Sequence, residues 1–548
     1  MLNEIKTRIP LVIGVLLLSA ISAGWTLSVM SLDNHESFVS VTSREMLQNG
    51  DWIMPTFNGQ PRLQKTPLSY WLVAAVAKVT GRVDEFAARL PSEIFAVFSV
   101  VAIIYFINRW LSFRTAIICA GVWATSLGYV LLAHNARPDM VMTFFIIVCF
   151  LSFYSAIIEQ SRRRQIAYML VFWASFGLAN LAKGPAPIPL VLVPLFVYVA
   201  VFRHWKKIPR LLPIVGTVIF LAIVLPWPLA IAHRVNWDLL MWKREFVDRF
   251  FGEYAKGNYP IYYYFLIVFR YATPWVVFLP MALAAPFFRI WGRKRPVMLF
   301  LWILFVADFV FLTLSGGKRQ HYILPIMPAI AILTGILIED MIFAREAYTA
   351  RQARQILLIH IAGAILISAG MVIYCGFAVR RFLPAAAAMA CVGVVGATAV
   401  GVMFAKKRPG LACSWLFVWL LALIMIVYVG FVSPLDDNIS MKRFALAVSR
   451  KVPLTNKLVS YKKVSPRFVN YFGRQVPEVE TESEVESFYR QGRWITAFGG
   501  GMDELLKTKR FELVFTGKII ERYGRKSFAA GLFHGKSAEA GFNEIAPQ

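Results

Sequence analysis

The feature that most constrains this chain is a succession of apolar blocks, each close to 20 residues long and nearly free of charge. A helix rises about 1.5 Å per residue, so such a block matches the roughly 30 Å hydrocarbon layer of a bilayer. The blocks fall at 9–31, 90–108, 115–133, 140–158, 166–182, 186–202, 212–233, 261–285, 297–314, 322–341, 356–376, 383–404 and 412–432. In hydrocarbon every backbone N–H and C=O must find its partner inside the segment, so these blocks predict about 13 membrane-spanning helices. The stretch 67–80 is too short to cross and predicts an interfacial amphipathic helix. The first block follows Lys6 and Arg8, as in a signal peptide, but it is too long and lacks a small-residue cleavage site. It is expected to remain as the first membrane helix.

Composition agrees. Charged residues make up 16% of the chain against about 25% in soluble domains, and 58% of the residues are hydrophobic. A net charge of +27 would suit nucleic acid, but the basic residues come in short clusters between apolar blocks. No basic, aromatic-studded surface is visible, so no nucleic-acid partner is expected. Cys119, Cys149, Cys375, Cys391 and Cys413 all lie inside apolar blocks and read as small hydrophobes.

Basic residues collect in alternate loops, around Arg8, Arg109, Arg163, Lys206, Arg293, Arg351 and Lys407, which marks those loops as cytoplasmic. The other loops, 32–89, 134–139, 183–185, 234–260, 315–321 and 377–382, face outward, as does everything after about 433. The expected architecture is therefore an all-α polytopic membrane domain, 1–432, with long outer loops 32–89 and 234–260. A small soluble α/β domain, 433–548, follows outside the cytoplasmic membrane. Within it LVSYKK and RWITAFGG read as strands, EVESFYRQ as a helix and FELVFTGKIIERYG as a hairpin. The glycines 499–501 read as a turn, since no Lys-Ser/Thr follows them.

The outer face gathers every polar cluster suited to chemistry. Asp33-Asn34-His35-Glu36 opens the first long loop, fit for acid–base work, metal binding or simple helix capping. Asp139 follows Arg137-Pro138 and reads as a second acidic site or as a cap. Lys183 stands in a short outer loop where topology does not favour a cation, although a snorkelling lysine also fits. Lys65, Arg249, Lys318, Arg319, His321 and Tyr322 add cations and donors suited to a phosphate at the membrane surface.

The run SREMLQNGDWIMPTFNGQPRLQKTPLSYWL and the following EFAARLP resemble the first-loop signature of the bacterial protein-mannosyltransferase-like and lipid A aminoarabinose transferases. These are polyprenyl-phosphate-dependent glycosyltransferases of the GT-C fold. The resemblance continues through ARPDM, LAKGP, PIYYYF, TPW and KRQHYILPIMPAIAIL, covering roughly 1–340. It implies that Asp139, Lys65, Lys183, Arg249 and Tyr322 match positions of the second acidic site and the phosphate site. In two places the chain departs from the pattern. The acidic pair falls on His35-Glu36, leaving Asp33 or Glu36 as the carboxylate, and an arginine is replaced by Phe38. Some members bind a divalent metal, for which Glu36, His35 and His321 are the ligand candidates.

The resemblance implies inverting transfer of one sugar from a polyprenyl monophosphate to a lipid A-like glycolipid, an envelope glycan or a protein. The alternative is a transporter that moves a lipid-linked sugar without chemistry. It predicts internal repeats, broken helices and mid-bilayer charge. No repeat is visible, and Asp308 is the charge that stands out within the spans.

Overall fold

The computed structural model describes residues 2–25, 27–235, 243, 248, 251, 259–436, 439–521 and 526–534. The apolar blocks fold as helices, among them α1 (Leu2–Gly24), α4 (Glu85–Trp110), α5 (Phe113–Ala124), α6 (Leu127–Ala133), α7 (Pro138–Ile158), α8 (Arg162–Lys183) and α9 (Pro187–Val201). The first outer loop is itself ordered. It holds α2 (Asn34–Asn49), the two-stranded β1 (Thr56–Phe57) and β2 (Gln60–Pro61), and α3 (Leu68–Thr80) where the amphipathic helix was expected.

Eight of the described helices are long and apolar enough to cross a membrane, or up to eleven if each of three bent pairs counts as one crossing. Arg8–Ser22 and Pro187–Val201 are apolar but shorter. The chain is a multi-pass membrane protein. The bends depart from the straight spans the sequence predicts. Phe113–Ala124 meets Leu127–Ala133 at 60°, and Tyr263–Ala272 meets Trp275–Phe287 at 116° across a cis Thr273–Pro274 bond. A third pair, His204–Leu211 and Pro213–Val224, bends by 49°.

Breaking a helix in hydrocarbon frees backbone groups that need new partners. The first two breaks supply one another. Leu127 N–H donates to the Thr273 carbonyl at 2.8 Å, and the Trp275 indole donates to the Thr125 hydroxyl at 3.0 Å. The hydroxyls of Thr125 and Ser126 bond back to the Gly121 and Val122 carbonyls at 2.7 Å, a pattern that bends helices. Packing elsewhere relies on close backbone approach. A Cβ on Gly335 would lie 2.5 Å from the Cα of Cys119, so only glycine lets the Met327–Glu339 helix sit against α5.

The chain divides into two compact units, residues 1–27, 64–69 and 89–432, and residues 28–63, 70–88 and 433–548. The second unit contains a five-stranded mixed sheet. Its strands are β3 (Leu458–Tyr461), β4 (Glu478–Val479), β5 (Trp494–Phe498), β6 (Leu513–Glu521) and β7 (Lys526–His534), in the order β4-β3-β5-β7-β6. The segment read as a hairpin, FELVFTGKIIERYG, supplies only the first strand, and β7 is its antiparallel partner. Gly499 adopts a left-handed φ of 52° at the turn into the Gly500–Lys507 helix, as the turn reading requires.

The core of this unit draws on the first loop. Val41 of α2 is buried with Met441, Phe444, Phe468 and Leu532. Arg44 reaches the Asn470 and Val469 carbonyls at 2.8 and 3.2 Å, at the end of the Pro466–Phe472 helix. Burial pulls that guanidinium below its usual pKa, and neighbouring Glu45 opposes the shift. Asn58 exchanges two hydrogen bonds with Val476, both 2.7 Å.

Candidate active site

In the first unit the site grows from the ends of two helices. α7 begins at Pro138, whose missing N–H costs nothing at that position. Arg137 is the cap residue, so Asp139 falls inside the first turn and is not the cap. Its carboxylate is buried and accepts a hydrogen bond from the Lys183 ammonium, the last residue of α8. Each charge is thus stabilised by the other in a place where a lone ion would be costly.

The Lys183 ammonium also stands 4.8 Å from the centre of the Tyr322 ring, within cation–π range. Tyr322 packs edge-on against His321, with ring centres 4.9 Å apart. His321 in turn lies within electrostatic reach of Asp139, Lys183, Arg137 and Arg319. The 318–322 segment is held by Tyr264, whose hydroxyl donates to the Arg319 carbonyl and accepts from the Arg319 N–H, both at 3.2 Å. Lys318 is buried in the same segment.

Residues 64–69 join this group through Thr66. Its hydroxyl accepts from the Gly184 N–H at 2.9 Å, and the Ser69 hydroxyl reaches the Ala182 carbonyl at 3.5 Å. Lys65 therefore adjoins the end of α8 that carries Lys183. Asp139, Lys183, His321 and Tyr322 are brought together, with Lys65, Lys318 and Arg319 on segments tied to the same helix ends. Arg249 lies outside the described residues.

The second unit holds the other carboxylates. Asp33 caps α2, its side chain accepting the Glu36 N–H at 2.8 Å, while Glu36 accepts the Asp33 N–H at 2.9 Å. This capping box fixes the two carboxylates relative to one another and buries Glu36. His35 is exposed. Among the described residues no group of three or more His, Cys, Asp or Glu side chains could hold a metal ion. Glu36 is engaged by the helix terminus, where it accepts the Asp33 N–H. Among the described residues His35, Glu36 and His321 form no such group.

Nothing in the local sequence marks Arg62. Its guanidinium lies 3.9 Å from the centre of the Phe38 ring, the ring that stands where the family pattern has arginine. It also donates to the Tyr70 hydroxyl at 3.3 Å. Arg62 sits 24 positions beyond Phe38 with a hairpin between them, so no local spacing reveals the pair.

The fold and the cluster together define a multi-pass membrane protein with a cation-rich polar site at its helix ends. The family described as dolichyl-phosphate-mannose-protein mannosyltransferase matches residues 64–229. The chain is also similar to undecaprenyl phosphate-alpha-4-amino-4-deoxy-L-arabinose arabinosyl transferase 2 of Pseudomonas fluorescens. The two are 25% identical over 345 residues, 61% of this chain and 60% of the relative. The Pseudomonas aeruginosa transferase is 28% identical over 320 residues, 56% of each chain. The chain thus spans a little over half the length of these curated relatives. The crystal structure of ArnT from Cupriavidus metallidurans bound to undecaprenyl phosphate matches 99% of each chain with a TM-score of 0.78 at 18% identity. The archaeal oligosaccharyltransferase AglB from Archaeoglobus fulgidus matches 90% of this chain and 69% of its own, with a TM-score of 0.51 at 12% identity. At these identities the two structures show the fold. The resemblance read from the first-loop signature is borne out.

Proposed function

We propose that the chain transfers a single sugar, with inversion, from undecaprenyl monophosphate to an acceptor at the periplasmic face of the cytoplasmic membrane. The observation that carries the proposal is the tie from Thr66 to Gly184, which brings the lysine-bearing segment 64–69 to the buried Asp139–Lys183 pair. That arrangement suits a lipid phosphate that must leave with its charge stabilised. In the transfer the bond between the sugar C1 and the phosphate oxygen breaks, the acceptor oxygen bonds to C1, and the phosphate takes the electron pair.

Lys65, Lys183, Lys318, Arg319 and Arg249 are assigned to the phosphate, with His321 and Tyr322 as further donors. Asp139 acts by holding Lys183. Asp33 or Glu36 receives or orients the acceptor proton. An acceptor that is itself a phosphate, as on lipid A, needs no strong base. The arabinosyl transferase relatives support an amino-pentose donor and a lipid A-like acceptor. The alternation of basic loops supports a cytoplasmic N-terminus and a periplasmic second unit.

The bent helix pairs are a feature the transporter reading also predicts, but the named relatives are transferases. The test is to incubate purified protein with a panel of polyprenyl-phosphate sugars and lipid A. Released polyprenyl phosphate together with glycosylated acceptor is expected. Translocation in proteoliposomes with no cleavage of any donor would reject the proposal.

A further inference from the structure

A cavity of about 960 Å³ opens in the first unit among α1, α5, the Gln320–Ala344 span and the Pro409–Val427 helix. Its deep wall is apolar, formed by Val15, Leu18, Ile117, Ile118, Phe417 and Val418. Its mouth carries Arg8 and Arg114. The Arg8 guanidinium lies 5.2 Å from the centre of the Phe113 ring and that of Arg114 lies 4.6 Å from the centre of Phe343, so aromatic faces hold both cations at the rim.

Three of the four helices begin at this end and the fourth finishes there, next to Arg345. It is the face of the basic loops, and α5 and α6 separate it in the chain from Asp139. Six residues of α1 line the cavity between Arg8 and Leu18, ten positions apart and so a rise of about 15 Å. That is the depth of one leaflet, half of the roughly 30 Å hydrocarbon layer. Glu339 is the acidic side chain on the wall, and Lys294 meets it at 3.1 Å, so it does not set a negative field at the mouth.

We propose that this cavity is a binding site for an anionic glycerophospholipid of the basic-loop leaflet. Its acyl chain lies along α1 and the Pro409–Val427 helix, and its phosphate sits between Arg8 and Arg114. An apolar slot one leaflet deep takes a chain, and a pair of arginines at headgroup level takes a phosphate. A zwitterionic headgroup would present its own cation to the same arginines, so the site selects for net negative charge.

Gly14 gives the discriminating variant. It lines the cavity, and a Cβ built there meets no atom within 4 Å, so Gly14→Leu starts from open space and narrows the slot. Native mass spectrometry of the full-length protein, titrated with phosphatidylglycerol or phosphatidylcholine, reads retained lipid directly. The wild type is expected to retain phosphatidylglycerol preferentially. Each of Arg8→Gln and Arg114→Gln should lower that retention roughly fivefold, and Gly14→Leu should lower it too. Arg163→Gln, on another basic loop, should leave it unchanged. Because a variant may misfold, a photoactivatable phosphatidylglycerol is also cross-linked to wild-type protein, with adducts expected on α1 and on 410–418. Equal retention of the two lipids, undiminished retention in Gly14→Leu, or adducts elsewhere would overturn the assignment. So would displacement of phosphatidylglycerol by an equimolar polyprenyl phosphate.

Discussion

The Asp139–Lys183 pair makes a quantitative claim about stability. Both side chains are nearly inaccessible, 2% exposed for the aspartate and 9% for the lysine. Asp139→Asn leaves the ammonium buried without its counter-charge, and Lys183→Met does the same to the carboxylate. Removing one partner of a buried pair costs about 3–5 kcal/mol, whereas replacing both by groups of similar size is often close to neutral. Each single variant should therefore lose about 3–5 kcal/mol. The double variant should lose much less than the sum, with a coupling energy at or above the roughly 0.5–3 kcal/mol usual for interacting neighbours. Unfolding of the purified protein by sodium dodecyl sulfate in mixed micelles, followed by tryptophan fluorescence, gives all four corners of the cycle. Tyr322→Phe keeps the ring beneath the ammonium and should leave the cycle unchanged, while Tyr322→Leu should cost about 0.5–2 kcal/mol. Strict additivity, or single losses below about 1 kcal/mol, would mean that the pair is hydrated and does not anchor the site.

Four further outcomes follow from the structure. Lys65→Ala should lower turnover about ten- to a hundredfold, the worth of one charge-assisted contact, and normal turnover would remove that residue from the phosphate site. Asp33→Asn and Glu36→Gln both retain acceptors for the capping box, so unfolding should barely change. One of them should nearly abolish transfer, with Glu36→Gln expected to be the more damaging, and full activity in both would shift the carboxylate role to Asp139. Gly335→Ala should destabilise by about 1–3 kcal/mol through its clash with Cys119, measured by the same unfolding assay. Reporter fusions after Arg164 and after Gln548 should read opposite sides of the membrane, and agreement between them would refute the orientation.

Much of the site could be found in the sequence because membrane topology does the sorting. Lys183 and Lys65 stand out where outer loops have no reason to be basic, and Asp139 and the 318–322 cluster lie on the same predicted face. That they meet could not be inferred, since Asp139 and Lys183 begin and end different helices, 44 positions apart. The pairing of Arg62 is hidden in the sequence for a similar reason. Its partner is Phe38, and only the hairpin between them brings the two within 3.9 Å.

The sequence by itself determined the class of the protein. Blocks of about 20 apolar residues have one stable form in hydrocarbon, and basic loops orient it, because both rules depend on local composition and the bilayer supplies the rest. Capping chemistry was also local. Asp33 and Glu36 stand three apart, and one of the three uses foreseen for them, a helix start, is what the structure contains. Tertiary structure decided the bends and the composition of the second unit. A helix breaks at Thr125-Ser126 because Thr273 and Trp275 satisfy what the break exposes, and those partners lie about 150 residues away. The first loop joins the C-terminal sheet because Val41, Arg44 and Asn58 find apolar and carbonyl partners there. Such pairings depend on which surfaces remain unsatisfied once the local elements have formed, and no local pattern in the chain encodes them.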